Sequence, residues 1–241
     1  VVCGQTTRIQ NPVRVVKGMG IKVEGVAFNG RVCAMAAVTP QLSEQGVILI
    51  DLGGGATEYV VYLNGSLRHS GVLGVGGEHV SNDIGVGLKL SHVKAEKLKL
   101  EFGSAIPDPN VAGRTVNYSS DVGLDNKSVK VGHLHQIMNA RLDELFRLIR
   151  NDLIHENLLN RIHGGVLLTG GGARTPMIDV LGQQIFDMDV IAGRDLSENG
   201  PNTILDQPEY TTAIGLVKYG AQQLNQRSKA GSGLLAWLAG R

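Results

Sequence analysis

Two runs of three glycines, Gly53-Gly54-Gly55 and Gly170-Gly171-Gly172, each close a short apolar stretch, the first through Asp51-Leu52 and the second through Thr169. Without a Cβ, a glycine amide can approach a phosphate or a purine ring with no side chain in between. Asp51 stands where a carboxylate could order the water around a phosphate-bound Mg2+; a turn-capping aspartate is the plainer alternative. One triglycine alone is an ordinary turn, whereas two in one chain, both at strand ends, point to a nucleotide site. Other phosphate loops do not fit. No Gly-Lys pair exists for a Walker loop, and Gly74-Val75-Gly76 lacks the third glycine of a dinucleotide fingerprint, with His79 in its place.

The remaining candidates are weaker. Glu96 and Lys99 lie three apart on one helix face; taken alone they read as a surface ion pair, with contacts to a ribose hydroxyl and a nucleobase edge as the alternative. His133 and His135 could begin a metal site, but no third ligand follows at helical spacing, so solvated histidines at a helix start are expected. His155-Glu156 lacks the second histidine of a zinc-peptidase helix, and no Gly-x-Ser-x-Gly elbow is present. No covalent catalyst emerges.

Elements that could position these residues follow from periodicity. Gly46 to Ile50 and Gly165 to Thr169 are short, continuously apolar and bounded by glycine, the pattern of strands buried on both faces. Glu58 to Leu63 and Ser66 to Leu73 flank Asn64-Gly65, which predicts a tight hairpin. Short helices are expected over His79 to Leu88 and, after Ser91 as N-cap, over Val93 to Glu101. From Leu134 to Leu159 apolar residues recur every three or four positions, an amphipathic helix of about seven turns. Ile106 to Lys130 reads as a β-rich insertion, a helix is expected from Pro176, and a last one over Glu209 to Leu224.

Composition bounds the answer. The chain has 241 residues, 42% hydrophobic and 19% charged, enough for a sizeable core of one or two domains. With 23 basic against 22 acidic side chains the formal charge is +1, so bulk electrostatics favours neither nucleic acid nor a charged membrane. Cys3 and Cys33 cannot make a disulfide framework, and inert thiols in a reducing interior are expected. No apolar stretch reaches the roughly 18 residues of a spanning helix. The chain opens Val1-Val2-Cys3, with neither Met nor a leader, so a missing front end is expected.

Taken in order, Asp51-Leu52-Gly53-Gly54-Gly55-Ala56-Thr57-Glu58, Gly76-Gly77-Glu78 with Asn82-Asp83-Ile84, Ala95-Glu96-Lys97-Leu98-Lys99, Leu168 to Ala173 and Glu209 to Gly215 resemble the actin, Hsp70 and sugar-kinase ATPase superfamily. Within it they most resemble the FtsA family of bacterial cell-division actin homologues. The resemblance implies an α/β actin-like ATPase fold with ribonuclease H-like lobes, of which the chain would hold the second lobe and part of the first. It implies a phosphate loop of Asp51, Gly53, Gly54, Gly55 and Thr57, an adenosine loop of Gly170, Gly171, Gly172 and Ala173, and Glu96 and Lys99 on the ribose and adenine. ATP and Mg2+ are the implied cofactors, with slow hydrolysis at most. Ala56 stands where the family commonly has Thr, and Glu58 where it has Asp, so Thr57 is expected to supply the loop hydroxyl. The family's first phosphate loop is not found in these residues.

The same resemblance implies a division of the chain. Residues 1–44 would be the tail of an extra subdomain and the end of the first lobe, 45–206 the second lobe with its smaller subdomain at about 88–161, 207–224 a helix returning to the first lobe, and 225–241 a linker and membrane-targeting segment. The implied partners are the C-terminal tail of FtsZ, other copies of the chain in filaments, further divisome proteins and the cytoplasmic face of the plasma membrane at the septum, with no nucleic acid. Lys127, Lys130 and Arg141 are candidates to grip an acidic tail, against the plainer reading of solvated charge. Leu234, Leu235, Trp237 and Leu238 suit a membrane interface; the segment either folds on lipid or docks as ordinary core. The rival readings are a sugar kinase or exopolyphosphatase of the same superfamily, or a PilM-like pilus-assembly scaffold.

Overall fold

A computed structural model describes residues 4–111, 113–119, 126–192 and 207–239. In chain order the elements are helices α1 (Thr6–Gly18), α2 (Asn29–Ala37) and α3 (Pro40–Gln45), strands β1 (Val47–Leu52), β2 (Thr57–Leu63) and β3 (Ser66–Leu73), and helices α4 (Gly77–Leu88) and α5 (His92–Phe102). A hairpin of β4 (Thr115–Ser119) and β5 (Asn126–Lys130) follows, then α6 (Val131–His155), β6 (Val166–Thr169), α7 (Ile178–Phe186), β7 (Val190–Ala192) and α8 (Thr211–Ala239).

An all-apolar strand such as Val47 to Ile50 is stable only with both faces covered, and β1 is the middle of a five-stranded sheet ordered β3-β2-β1-β6-β7. β2 and β3 run antiparallel to their neighbours, joined at Asn64 and Gly65, both at positive φ as the two-residue hairpin requires. β6 and β7 add in parallel on the other side. Alternation along β1 serves two cores. Ile48, Ile50 and Leu52 pack with Ile84 of α4, Leu134, Phe146 and Ile149 of α6, and Leu181 of α7; Val47 and Leu49 pack with Val60, Leu167 and with Cys33, Ala34 and Ala37 of α2. Outside this second layer α8 lies along α2, crossing where Gly215 meets the Val32 backbone with no room for a Cβ.

The expected elements are present, with shifted ends that have local causes. α6 stops at His155 rather than Leu159, because Asn157 turns into the left-handed region and the Leu158 amide caps the Leu153 carbonyl. α7 starts at Ile178 rather than Pro176, since Met177 ahead of it is also left-handed. The helix expected to close at Leu224 continues to Ala239. Its polar stretch holds no proline to break the run, and Gln222, Gln223, Leu224, Gln226 and Arg227 carry the helix past Leu224 before the weaker formers Gly231 and Gly233. Leu234, Leu235, Trp237 and Leu238 fall in its last turns, with side chains outside the described part, as are Cys3 and Arg241.

Candidate nucleotide site

The two triglycine loops, far apart in sequence, meet because their strands do. β1 and β6 are parallel neighbours in a register that sets Asp51 beside Thr169, so both chains leave the sheet at the same edge. Gly170 has φ +79°, and a Cβ there would strike the Leu52 carbonyl at 2.6 Å and the Asp51 carboxylate. A Cβ on Gly172 would meet Leu52 Cβ at 2.7 Å, whereas one on Gly171 would meet nothing within 4 Å. The second loop is thus pressed glycine-to-backbone against the first, with Gly171 facing out.

Gly53 to Ala56 make the turn between β1 and β2, closed by the Gly53 amide donating to the Ala56 carbonyl at 3.1 Å. The Gly53 and Gly54 carbonyls accept from the Gly77 and Glu78 amides of α4 at 3.0 and 2.8 Å. The first turn of α4 is therefore spent on holding the loop. The amides of Gly54 and Gly55 are exposed and donate to nothing among the described residues. Two neighbouring free amides in a bent loop form a concavity suited to an anion.

Beneath the loop, the β1–β2 register pairs Asp51 with Glu58, so both carboxylates project from the face toward α2 and α8. Thr212, in the first turn of α8, donates its hydroxyl to Asp51 Oδ2 at 2.8 Å, and Asn29 at the start of α2 donates to Glu58 Oε1 at 3.1 Å. Burial pushes the Asp51 carboxyl above the usual carboxylate range, with the Thr212 bond pulling back. Burial likewise raises Glu58, opposed by Asn29 and reinforced by the Asp51 charge. Beside them the buried Cys33 thiol, 3.3 Å from Thr169 Oγ1, is pushed up to about 11 by desolvation and is inert. Glu58 Oε2 is buried without a hydrogen-bond partner. An orphan carboxylate oxygen next to a second carboxylate suits a hard cation, and Mg2+ typically takes one or two carboxylates and completes its shell with phosphate and water. No group of three His, Cys, Asp or Glu side chains gathers among the described residues.

Thr57 does not join this site. It pairs with Leu52 and points to the opposite face of the sheet, fully buried, its hydroxyl donating to the Val75 carbonyl at 2.8 Å. It anchors the segment leading into α4, and the hydroxyl expected of it in the phosphate loop is not available. Glu96 and Lys99 do come together, 2.7 Å apart, and Lys99 also donates to the Gly77 carbonyl at 3.0 Å while Ser81 bonds Glu96. Burial acts to raise Glu96, but the bonds from Lys99 and Ser81 outweigh it and hold its carboxyl below the ordinary value. With the Lys99 side chain only 16% exposed, the pair is fixed against the α4 edge of the first glycine loop rather than solvated.

Two further expectations change. Arg141 is committed within the fold: it binds Asp83 of α4 at 2.6 and 3.1 Å and Glu144 at 2.6 Å, so it ties α4 to α6 and is not free to grip an acidic tail. His135 is buried rather than solvated, donating from Nε2 to the Phe102 carbonyl at 2.8 Å while Nδ1 accepts from the Asp108 amide at 3.4 Å. His133 is exposed as expected. Lys130 is exposed at the start of α6, and Lys127 pairs through its backbone with Tyr118, its side chain outside the described part. Asn29, Thr212 and Ser81, which bond Glu58, Asp51 and Glu96, were not singled out by sequence reasoning, and Glu58 was noted only as a departure from the family pattern; the one signal available was the symmetric placement of Asp51 and Glu58 about the glycine turn.

The family described as cell division protein FtsA matches residues 48–215. Cell division protein FtsA of Pseudomonas aeruginosa is 30% identical over 89% of this chain and 51% of its own length. That of Borreliella burgdorferi is 31% identical over 96% of this chain and 57% of its own. The chain spans about half the length of the curated relatives it matches. Among solved structures, MreB5 of Spiroplasma citri bound to ADP superposes with TM-score 0.74 at 19% identity, covering 94% of this chain and 68% of that one. A PilM-PilN type IV pilus biogenesis complex superposes with TM-score 0.67 at 15% identity, covering 88% and 57%. These structures establish the actin-like fold.

Proposed function

This chain belongs to the FtsA family of cell division proteins, and we propose that it binds ATP with Mg2+ between its two glycine loops and serves to tether an FtsZ polymer to the membrane. The observation that carries the nucleotide half is the pair of free amides at Gly54 and Gly55 beside Asp51, with Gly170 to Ala173 pressed against the same strand end. The Gly54 and Gly55 amides donate to phosphate oxygens. Asp51, assisted by Glu58, would order the water shell of a bound Mg2+, which would supply neutralisation of phosphate charge. The Gly171 side of the second loop would receive the adenosine, with Glu96 as the ribose contact and Lys99 as the base contact. Turnover is slow at most, and assembly rather than catalysis is the output.

Residues 45–206 act as the second lobe, 1–44 and 207–224 as the edge of the first, and about 88–161 as the smaller subdomain that receives the FtsZ tail, with Lys127 and Lys130 as its basic contacts. Leu234, Leu235, Trp237 and Leu238 enter the interface of the cytoplasmic membrane at the septum, where copies associate into filaments and recruit other divisome proteins. No described helix is long and apolar enough to cross a membrane; the attachment proposed is interfacial, through the apolar side chains of the last turns. The pilus-scaffold alternative rests on fold likeness alone. The test is vesicle co-sedimentation of the full-length protein with FtsZ and ATP, with and without residues 232–241. FtsZ sedimenting only with the intact tail supports the reading; no vesicle or FtsZ binding in either case overturns it.

A further inference from the structure

We infer that Thr212 is the positioning residue for Asp51, and that the first turn of α8 is thereby part of the cation–nucleotide site. The inference deepens the nucleotide-binding reading and rests on it. Asp51 is enclosed from two sides: one carboxylate oxygen lies against Gly170, where a Cβ has no room, and the other accepts the Thr212 hydroxyl at 2.8 Å. Nothing else among the hydrogen bonds of the described side chains reaches this carboxylate. Without that donor, the carboxylate would lose its one side-chain hydrogen bond and would be free to rotate about its Cβ–Cγ bond.

The segment that carries Thr212 is itself held by the second loop. The Gly170 amide donates to the Pro208 carbonyl at 3.0 Å, Thr211 caps that same carbonyl at 2.9 Å, and Arg174 of the second loop binds Glu209 at 2.7 Å. The lead-in to α8 is thus strapped across the end of β1 and β6, and the helix then passes α2 at Gly215 with backbone-close contact. The companion carboxylate is gripped the same way by Asn29 at the start of α2. One helix of a tightly packed pair therefore holds each carboxylate, and the Thr212 bond is the point where a displacement of Asp51 on cation binding is passed to α8.

The test is ATP affinity of the full-length protein measured by calorimetric titration in EDTA and in Mg2+, for wild type, Thr212→Val, Thr212→Ala and Thr212→Ser, with the ligand-free melting temperature of each. Val keeps the shape and removes the donor, Ala avoids any steric conflict, and Ser keeps the donor. The expected result is that Val and Ala leave ATP affinity in EDTA within about twofold but reduce the gain conferred by Mg2+ about tenfold, the low end of what a hydrogen bond to a charged group contributes, while Ser restores it. A merely structural role would weaken binding equally with and without Mg2+ and lower the ligand-free melting temperature in step; that result overturns the inference, as does an unchanged Mg2+ gain in Val and Ala. Wild-type protein that binds ATP with no Mg2+ gain overturns the inference and the Mg2+ part of the proposed function, and leaves ATP binding itself standing. Wild-type protein that binds no ATP at all removes that reading, and the inference with it.

Discussion

Substituting alanine at Gly55 and at Gly170 separates the two jobs that glycine performs in this site. At Gly55 a Cβ would meet no atom within 4 Å, and the residue is not at positive φ, so the fold should notice little. Stability should stay within about 0.5 kcal/mol, as for surface changes free of special contacts, or rise slightly through the stiffer unfolded chain. Gly170 differs on both counts. Its φ of +79° costs an L-residue roughly 1–2 kcal/mol. In addition its Cβ would lie 2.6 Å from the Leu52 carbonyl, closer than a Cβ approaches an oxygen, with rigid strand backbone as the neighbour that must yield. A total of at least about 2 kcal/mol would lower the melting temperature by roughly 4–8 °C for a chain of this size. For nucleotide binding the expectation inverts. Gly55→Ala places a methyl group where the anion must approach and should cost at least about 1.5 kcal/mol, or about tenfold in ATP affinity, the low end for a lost hydrogen bond to a charged group. Differential scanning calorimetry and an ATP titration on both variants make the comparison. Gly55→Ala binding ATP as tightly as wild type, or unfolding as early as Gly170→Ala, would refute the assignment of these amides.

Three other outcomes are expected. Arg141→Ala should lose the bidentate tie to Asp83; because both side chains are about a quarter exposed, screening holds the cost to about 1 kcal/mol, seen as a melting temperature roughly 2–4 °C lower. Burial acts to raise Asp152, but bonds from Tyr59 and His69, each 2.6 Å, outweigh it and depress its carboxyl; its stabilisation is present above the ordinary carboxylate value and is lost as pH falls through the depressed one. The stability gap between wild type and Asp152→Asn should accordingly be full near neutrality and close in acid, read by urea denaturation across pH. Cys33, buried and pushed up to about 11, should stay unmodified by a maleimide at pH 7.5 in the native protein and react on denaturation.

Much of the architecture is legible in the residues because its causes are local. Continuous apolar runs mark β1 and β6, Asn64-Gly65 forces the hairpin, and the three-and-four spacing from Leu134 onward marks α6. Asp51 and the glycines point to the candidate phosphate site from their spacing alone. What escaped depends on partners brought from elsewhere. Arg141 finds Asp83 on another helix, and His135 is covered by the segment from Phe102 to Asp108. Thr212 becomes a site residue only because α8 returns to the end of β1. Thr57 is the instructive case. Strand alternation across a turn that pairs Leu52 with Thr57 must send Asp51 and Glu58 to one face and Thr57 to the other. Counting that period through the loop separates the carboxylate that serves the site from the hydroxyl that serves the core.

The most direct measurement is a titration of MgATP into the full-length protein alongside the double variant Gly54→Ala/Gly55→Ala. Saturable one-to-one binding by wild type, weakened at least about tenfold in a variant whose melting temperature is unchanged, is the predicted result. Absence of ATP binding by wild type, or equal binding by both proteins, would contradict a nucleotide site between the two glycine loops.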